Sequence, residues 1–276
     1  MIDLHTHTTA SDGLCTPSEL VARAASAGVQ VLSVTDHDTT AACAPVGVAC
    51  GLAGIEFVPG IEMTSVVDGK DVHLLGYFMD PDDDRLGGFL AQARRMRIDR
   101  IRQIVQRLAE HGIQLDVDAV LRPGTTDNAR AAGRPWIARA LIAAGHVATI
   151  SEAFDRWLSS GRPAFVERIG PTPEDVLHQI HDANGIVSLA HPGLLGRDDL
   201  IQGLAAAGLD AIEAYHSKHQ VDDTVRYLTF AERLGLAVSG GSDYHADPSA
   251  SIRVGSVSLP RELFDALKAR RHVTRS

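Results

Sequence analysis

The chain has 276 residues, 45% of them hydrophobic and 22% charged, a globular composition that excludes an intrinsically disordered protein. Its formal net charge of −9 argues against a dedicated binder of duplex DNA, because such proteins are usually basic. Every apolar run is broken well short of the roughly 18 residues that a membrane span needs. We therefore expect one large domain or two modest ones, with no membrane segment.

The start of the chain and its cysteines indicate a cellular compartment. No basic segment followed by an apolar run precedes the first motif, so no signal peptide is expected. Cys15, Cys43 and Cys50 lack the C-x-x-C spacing of a metal site and are typical of reduced thiols. We expect a cytoplasmic protein.

Strand-like apolar runs alternate with helix-like segments along the chain, which is typical of parallel βα units. A capping box, Thr16-Pro17-Ser18-Glu19, begins the first helix, which ends near Gly28. A similar box, Thr172-Pro173-Glu174-Asp175, begins a later helix that ends near Gly185. The predicted strands are Ile2–Thr8, Val31–Asp36, Ile55–Ile61, Val72–Phe78, Ile186–Ala190, Ala211–Tyr215 and Leu236–Gly240.

One stretch interrupts this alternation, because residues 85–160 contain helical periodicity and no convincing pair of strands. The segment Arg85–Arg139 carries eleven arginines and five acidic residues, a balance of +6 that leaves −15 for the rest of the chain. We predict a barrel formed by residues 1–84 and 161–276, with a basic helical insertion domain at 85–160. A solvated helix face explains any single arginine, whereas their number favours an electropositive cap over an anionic substrate.

Histidine and acidic residues concentrate where the predicted strands meet their loops, the position at which parallel α/β barrels carry their active sites. His5 and His7 are alternate residues of one strand and share a face, so both imidazoles can bind one ion. A lone histidine at a strand end is more often structural, but nine ligand-type residues in six segments predict a metal site. These residues are His5, His7, Asp12, His37, Glu62, His73, His191, Asp243 and His245.

The composition of this set narrows the chemistry. Imidazoles and carboxylates without thiolates suit Mn²⁺, Fe²⁺ or Zn²⁺ with open positions for substrate and water. Six neutral histidines add no charge and three carboxylates add −3, so two divalent ions leave the site at +1 and three leave it at +3. A net positive cluster stabilises charge that develops on a phosphoryl group. No P-loop or G-x-G-x-x-G motif supports an NTPase or a dehydrogenase.

Six short motifs together resemble the PHP (polymerase and histidinol phosphatase) family. They follow the family's order from residue 3 to 245: His5-Thr6-His7, Ser11-Asp12-Gly13, Thr35-Asp36-His37-Asp38, Gly60-Ile61-Glu62, Ala190-His191-Pro192 and Gly241-Ser242-Asp243-Tyr244-His245. The resemblance implies an α/β fold, a distorted (β/α)7 barrel of the PHP type. It also implies three divalent ions at the mouth of the barrel, with manganese preferred over iron or zinc.

The same resemblance divides the nine residues among the ions. It implies a first ion held by His5, His7, Glu62 and Asp243, a second held by Glu62, His73 and His191, and a third held by Asp12, His37 and His245. Glu62 would thus bridge the first two ions. Asp12, Glu62 and Asp243 are the carboxylates that we predict to be catalytic.

The helical insertion after His73 resembles the branch of nucleotide phosphatases that act on 3′,5′-nucleotide bisphosphates, whose relatives shorten RNA from its 5′ end. The segments 133–135 and 161–163, both Gly-Arg-Pro, match that branch. A guanidinium fork fits phosphate oxygens, so Arg134 and Arg162 are predicted substrate contacts. A structural ion pair is the alternative for Arg162.

His216 directly follows the predicted strand Ala211–Tyr215 and therefore also lies at the mouth of the barrel. We predict that it donates a hydrogen bond to the substrate phosphate or acts as general acid for the leaving oxygen. A loop histidine without a catalytic role is the alternative.

The predicted reaction is metal-dependent hydrolysis of a nucleotide phosphate monoester, with a small nucleotide or short RNA as partner and neither duplex DNA nor a membrane. Three alternatives stay open: a phosphatase of histidinol phosphate or a sugar phosphate, a C–N or lactone hydrolase, and a non-catalytic module that assists a polymerase. The three-ion count and the basic insertion argue against the C–N or lactone hydrolase. The lack of an accessory domain argues against the module that assists a polymerase. The sequence leaves the oligomeric state open.

Overall fold

A computed structural model describes residues 1–125, 132–248 and 250–272, and within them seven strands lie side by side in sequence order. The Leu4 N–H donates to the Gly240 carbonyl at 3.2 Å, and Thr6 pairs with Tyr244. The last strand therefore returns to the first, and the predicted α/β barrel is confirmed. The strands are β1 (Ile2–Asp3), β2 (Val31–Val34), β3 (Glu56–Val67), β4 (Lys70–Tyr77), β5 (Ile186–Leu189), β6 (Ala211–His216) and β7 (Ala237–Gly241).

One strand departs from the predicted parallel order. The strands β1, β2 and β3 are parallel, as are β5, β6 and β7, but β4 is antiparallel to both of its neighbours. The cause is the two-residue turn Asp68-Gly69, whose φ angles of 51° and 71° suit a tight hairpin. A chain that turns this sharply returns beside itself, so the prediction of parallel units was wrong for β4.

This reversal decides the position of His73, which lies early in β4. The first residues of a parallel strand lie at the end of the barrel opposite the mouth, whereas those of a reversed strand lie at the mouth. Thr64 pairs with His73 across the hairpin, and Glu62 lies two residues before Thr64 on the same strand face. The hairpin therefore brings His73 and Glu62 together.

Helices pack against the sheet and build the insertion. Both predicted capping boxes form, one between Thr16 and Glu19 and one between Thr172 and Asp175. None of the helices in the described ranges is long and apolar enough to cross a membrane. The helices are α1 (Pro17–Ser26), α2 (Cys43–Ala53), α3 (Asp84–Glu110), α4 (Val117–Thr125), α5 (Arg134–Ala143), α6 (Ile150–Ala153), α7 (Pro173–Asp182), α8 (Pro192–Leu195), α9 (Ile201–Ala206), α10 (Val221–Leu234) and α11 (Arg261–Ala269), with a π-helical turn at Phe154–Leu158 and 3₁₀ turns at Asp198–Leu200 and Arg270–His272.

The helix α3 belongs to two hydrophobic cores. Its first half places Leu86 and Leu90 in the core of the barrel, whereas its second half places Ile104 and Leu108 in a separate core built by residues 101–166. With 27 residues at about 1.5 Å each, it is about 40 Å long. The predicted domain limits at 84/85 and 160/161 stay a prediction. The start of α3, which follows the first limit, packs in the barrel core and not in the core of the insertion.

Candidate metal centre

The nine predicted ligand residues meet at one mouth of the barrel, and His216 lies with them. Each group of potential ligand atoms in the cluster has all of its atoms within 4.8 Å of one another. The groups are His7, Asp12, His37 and His245; His5, His216 and Asp243; His5, Glu62 and His191; and His37, Glu62 and His73. The implied third set forms one group, to which His7 of the implied first set is added. The rest of the first set and the whole second set are divided among the groups that contain His5 or Glu62.

Glu62 lies at the centre of this arrangement, with a carboxylate that is almost fully buried. Its Oε1 is 2.6 Å from His73 Nδ1 and 3.0 Å from His191 Nε2. Its Oε2 is 3.2 Å from both His7 Nε2 and His37 Nδ1. The two oxygens thus face different imidazoles, which is the geometry a bridging ligand needs.

The carboxylates of Asp12 and Asp243 flank Glu62. Asp12 Oδ1 lies 3.2 Å from His245 Nε2, and Asp12 Oδ2 lies 3.8 Å from His37 Nε2. Asp243 Oδ1 lies 3.3 Å from His7 Nε2. Each carboxylate therefore reaches at least one imidazole of a neighbouring group, and the whole cluster is continuous.

Buried nitrogen atoms in the cluster test whether it fits divalent ions. Both ring nitrogens of His7, Nδ1 of His37 and Nδ1 of His191 are buried and have no hydrogen-bond partner among the described residues. Buried polar atoms normally have partners, and an imidazole lone pair beside carboxylate oxygens is a typical ligand for Mn²⁺, Fe²⁺ or Zn²⁺. The residues present fit the predicted divalent ions, while the number three and the choice of manganese stay predictions.

The charge states of the cluster favour cation binding. Burial raises the pKa of Glu62, but the nearby histidines, His37 first, more than offset it and hold that pKa well below its ordinary value. Burial lowers the pKa of His37 to about 3, so its ring is a neutral donor at pH 7. Burial also lowers the pKa of His7, yet the nearby carboxylates of Asp243 and Glu62 more than offset this effect and raise it to about 10. The cluster therefore offers an ionised Glu62 carboxylate and a neutral His37 imidazole to a cation.

Glu213 supports the centre and was missed in the sequence analysis. Its buried carboxylate lies 2.9 Å from His5 Nδ1 through Oε1 and accepts the His191 N–H at 2.6 Å through Oε2. A proton held on Nδ1 leaves Nε2 of His5 free to face Glu62. The available signal was a lone acidic residue within the apolar run of β6.

We expect Glu213→Gln to weaken metal binding roughly 10-fold to 100-fold, the usual cost of removing a carboxylate that orients a ligand histidine. The amide places an N–H₂ group where Glu213 accepts hydrogen bonds, so His5 or His191 loses its partner. Metal retention during titration with a chelator measures the effect. The exposed Glu232→Gln on α10 is the matched control, and equal retention in the two variants would contradict the role given to Glu213.

Two further buried aspartates hold the loops that carry the ligands. Asp3 accepts hydrogen bonds from Ser242 N–H at 2.8 Å, Ser242 Oγ at 2.6 Å and Gly255 N–H at 2.7 Å. Asp36 accepts from Thr8 N–H at 2.8 Å and Thr8 Oγ1 at 2.7 Å. The loop before Asp243 and the loop before Asp12 are thereby attached to the strands.

His216 is almost fully buried at the edge of the cluster. Its Nδ1 accepts the Lys218 N–H at 3.2 Å, and its Nε2 lies 3.4 Å from Asp243 Oδ2. An Nδ1 that accepts a hydrogen bond leaves the proton of the neutral ring on Nε2. That proton faces the centre.

A cavity of about 170 Å³ adjoins the cluster, and Arg134 lines it, close to where the substrate was predicted to lie. Arg162 is exposed and does not line this cavity, whereas Arg168, which the sequence analysis did not select, does. The substrate contacts of Arg134 and Arg162 stay predictions. The cavity is bounded by Asp12, His37, Asp71, His73, Arg97, Arg100, Ile101, Ile104, Ala132, Gly133, Arg134, Pro135, Phe154 and Arg168.

Comparison with known proteins places this site in a family. The model of the PHP domain matches residues 3–219, more than half of the chain. The chain belongs to the PHP family. The match ends before Asp243 and His245, which the barrel nevertheless brings to the same cluster. The resemblance found in the sequence is confirmed, and the protein is a metal-dependent phosphoesterase, a hydrolase of phosphoric ester bonds.

Similar proteins share nearly the full length of the PHP chain. A 3′,5′-nucleoside bisphosphate phosphatase of Chromobacterium violaceum is 34% identical, with 98% of this chain and 97% of the relative covered. The 5′-3′ exoribonuclease Rnm of Salmonella typhimurium is also 34% identical, with 92% and 87% covered. A structure from Bifidobacterium adolescentis, described provisionally as a metal-dependent phosphoesterase, is 31% identical with a TM-score of 0.89 and covers 97% of this chain and 95% of its own.

Proposed function

We propose that this PHP phosphoesterase removes the 3′-phosphate of 3′,5′-nucleotide bisphosphates, giving a nucleoside 5′-monophosphate and phosphate, and that it also trims short RNA from the 5′ end. The observation that carries the proposal is the continuity of the metal centre with a cavity lined by four arginines, which suits a substrate with more than one phosphate. The activities named for the two relatives that are 34% identical support it.

The proposed chemistry is metal-assisted hydrolysis of a phosphate ester. Divalent ions, when bound, lower the pKa of a water molecule and neutralise charge on the phosphoryl oxygens. Glu62 fixes the spacing of the centre, since its two oxygens face separate imidazoles. Asp12 and Asp243 would hold ions on the two sides of Glu62. We assign the remaining histidines to the ions as the family resemblance implies.

His216 is the proposed general acid. Its Nε2 proton faces Asp243 and the centre, and departure of a ribose 3′-oxygen requires a proton because an alkoxide is a poor leaving group. His216 also lies with His5 and Asp243 in one group of potential ligand atoms, so the rival role for His216 is that of a metal ligand. The two roles differ in what a substitution does to metal content.

We expect His216→Asn to lower kcat on a nucleotide 3′-phosphate by roughly 100-fold, since general acid catalysis contributes on that order or more. Asparagine Oδ1 can still accept the Lys218 N–H, so the loop is preserved. Hydrolysis of 4-nitrophenyl phosphate, whose leaving group departs without a proton, should fall much less, and metal content should not change. Loss of metal with an equal fall on both substrates would instead make His216 a ligand.

Phosphate release from the Mn²⁺-loaded protein tests the proposed substrate. The panel contains a 3′,5′-nucleotide bisphosphate, a 5′-phosphorylated dinucleotide, AMP, histidinol phosphate, a sugar phosphate and an aryl phosphate, each with an EDTA-treated control. Metal-dependent preference for the bisphosphate supports the proposal. Preference for histidinol phosphate or the sugar phosphate would replace it with that alternative, and failure to hydrolyse any phosphate ester would overturn it in favour of C–N or lactone hydrolysis.

A further inference from the structure

The cavity beside the metal centre carries an excess of positive charge. We call it the arginine cavity, after Arg97, Arg100, Arg134 and Arg168, which line it. The carboxylates that pair with these four guanidinium groups are Asp38 and Asp71, so the arginines outnumber their paired carboxylates by two. Burial raises the pKa of both carboxyls, but the arginines hold both values below the ordinary range, so both are ionised at neutral pH. A third carboxylate, Asp12, lies where the cavity meets the metal centre.

Two of the four arginines, Arg97 and Arg100, form several close hydrogen bonds within the protein. Arg97 forms a short ion pair with Asp38 and donates to Thr64 Oγ1 at 2.8 Å and to the Ala132 carbonyl at 3.2 Å. Arg100 donates through Nε and Nη2 to the Val166 carbonyl, at 3.0 and 2.9 Å. The contacts of Arg97 to Asp38 and Thr64 join α3 to the barrel, whereas the contact of Arg100 to Val166 lies within the insertion core. Both side chains therefore have a structural role.

Arg134 and Arg168 are held more loosely. Arg134 Nη2 lies 3.4 Å from Asp71 Oδ2, and its Nη1 donates to the Leu158 carbonyl at 3.3 Å. Arg168 lies 3.5 Å from both Asp38 Oδ2 and Asp71 Oδ2. Charge-assisted N–O contacts are usually about 2.7–2.9 Å, so these pairs are long. The Arg168 side chain is only 10% exposed, and a buried guanidinium is costly unless its charge is closely matched.

The size and position of the arginine cavity indicate what could complete these contacts. Its volume of about 170 Å³ is below the roughly 300–1,000 Å³ of pockets that enclose drug-sized ligands, so it suits one charged group rather than a whole nucleotide. Asp12, His37 and His73 belong to both the cavity wall and the metal centre. A group in the cavity is therefore adjacent to the phosphate that is hydrolysed.

Building on the proposed function, we propose that the arginine cavity binds the second, uncleaved phosphate of the substrate, with Arg134 and Arg168 donating to its oxygens. A phosphate monoester near pH 7 carries close to two negative charges, which complements the excess of arginines over their paired carboxylates. A planar guanidinium offers paired donors to phosphate oxygens. The cavity then selects bisphosphates over monophosphates. Arg134 binds the phosphate that stays on the nucleoside and not the one that is hydrolysed.

The test compares two substrates that differ only in the second phosphate: adenosine 3′,5′-bisphosphate and adenosine 3′-monophosphate. We expect Arg168→Met and Arg134→Met each to lower kcat/KM for the bisphosphate roughly 10-fold to 100-fold, mainly by raising KM. A loss of this size corresponds to one hydrogen bond to a charged group. Activity on the monophosphate should fall much less, so that the preference for the bisphosphate is reduced. Arg102→Met removes the same charge from an exposed position on α3 and should affect neither substrate.

The outcomes separate this proposal from the function on which it rests. An unchanged preference in both variants, or an equal loss on both substrates, overturns the second-phosphate site. Wild-type protein that hydrolyses an aryl phosphate but not the bisphosphate overturns the proposed function instead. If Arg168→Met does not fold, as judged by thermal unfolding, Arg168→Lys keeps the charge without the paired donors and should still lose preference for the bisphosphate.

Discussion

Glu62→Gln is expected to lower phosphate release by at least about 10³-fold and to reduce the metal content of the protein. The Glu62 carboxylate lies within 3.3 Å of five histidines, and an amide supplies one oxygen in place of two. Divalent ions contribute several kcal/mol of transition-state stabilisation, and about 1.4 kcal/mol corresponds to a tenfold change in rate. Phosphate release and elemental analysis of the same preparations measure the two effects.

The same strand offers a matched control. Glu56 begins β3, at the opposite end from the centre, and its carboxylate pairs with Lys268 Nζ at 2.6 Å on the surface. Glu56→Gln makes the identical chemical change and should leave activity and metal content unaltered. Full activity in Glu62→Gln with its metal retained would remove Glu62 from the reaction.

Asp3→Ala is expected to lower the free energy of unfolding by about 3 kcal/mol, because it leaves buried donors without an acceptor. The donors are the Ser242 N–H and hydroxyl and the Gly255 N–H, which join the last strand region to β1. Burial raises the pKa of Asp3 despite these hydrogen bonds, so its ionisation in the fold carries a cost that offsets part of the loss. For a chain of this size the melting temperature should fall by about 6–12 °C.

The unfolding measurement is made on metal-free protein, because bound ions would add their own stabilisation. Asp3→Asn keeps one acceptor oxygen and should lose less stability than Asp3→Ala. Asp265→Ala removes an exposed partner of Arg261 in an (i, i+4) pair and should cost no more than about 0.5 kcal/mol. Equal stability of Asp3→Ala and Asp265→Ala would show that the Asp3 hydrogen bonds contribute little.

Much of the barrel could be predicted because its strands are buried, short and apolar, and are separated by turn residues. Each of the seven predicted runs overlaps an observed strand, although β3 extends to Val67 because it continues into the hairpin. The cluster could be predicted for the same reason, since ligand residues at strand ends converge once the strands form a barrel. His73 lies in the same cluster as the other predicted ligands, but the antiparallel hairpin that brings it there was not predicted.

The remaining features depend on contacts between distant segments. Arg168 lies between the π-helical turn and α7 with no local pattern around it, and only the fold brings it to Asp38 and Asp71. Two signals were present and passed over: the Asp68-Gly69 pair, which is typical of a hairpin, and Glu213, an acidic residue in an apolar strand. Both signals are only one or two residues long, much shorter than the periodic patterns that predict strands and helices.

The long helix α3 has a mechanical consequence. An insertion joined to a barrel by loops alone can swing as a hinged lid, but this one is joined by a continuous helix that is packed into both cores. Rotation of the insertion would have to bend α3 or pull Leu86 and Leu90 out of the barrel, and the Arg97–Asp38 pair resists the same movement. We therefore expect the entrance to keep one shape through turnover, so that substrates are sorted by a rigid opening and products leave without waiting for a lid to open.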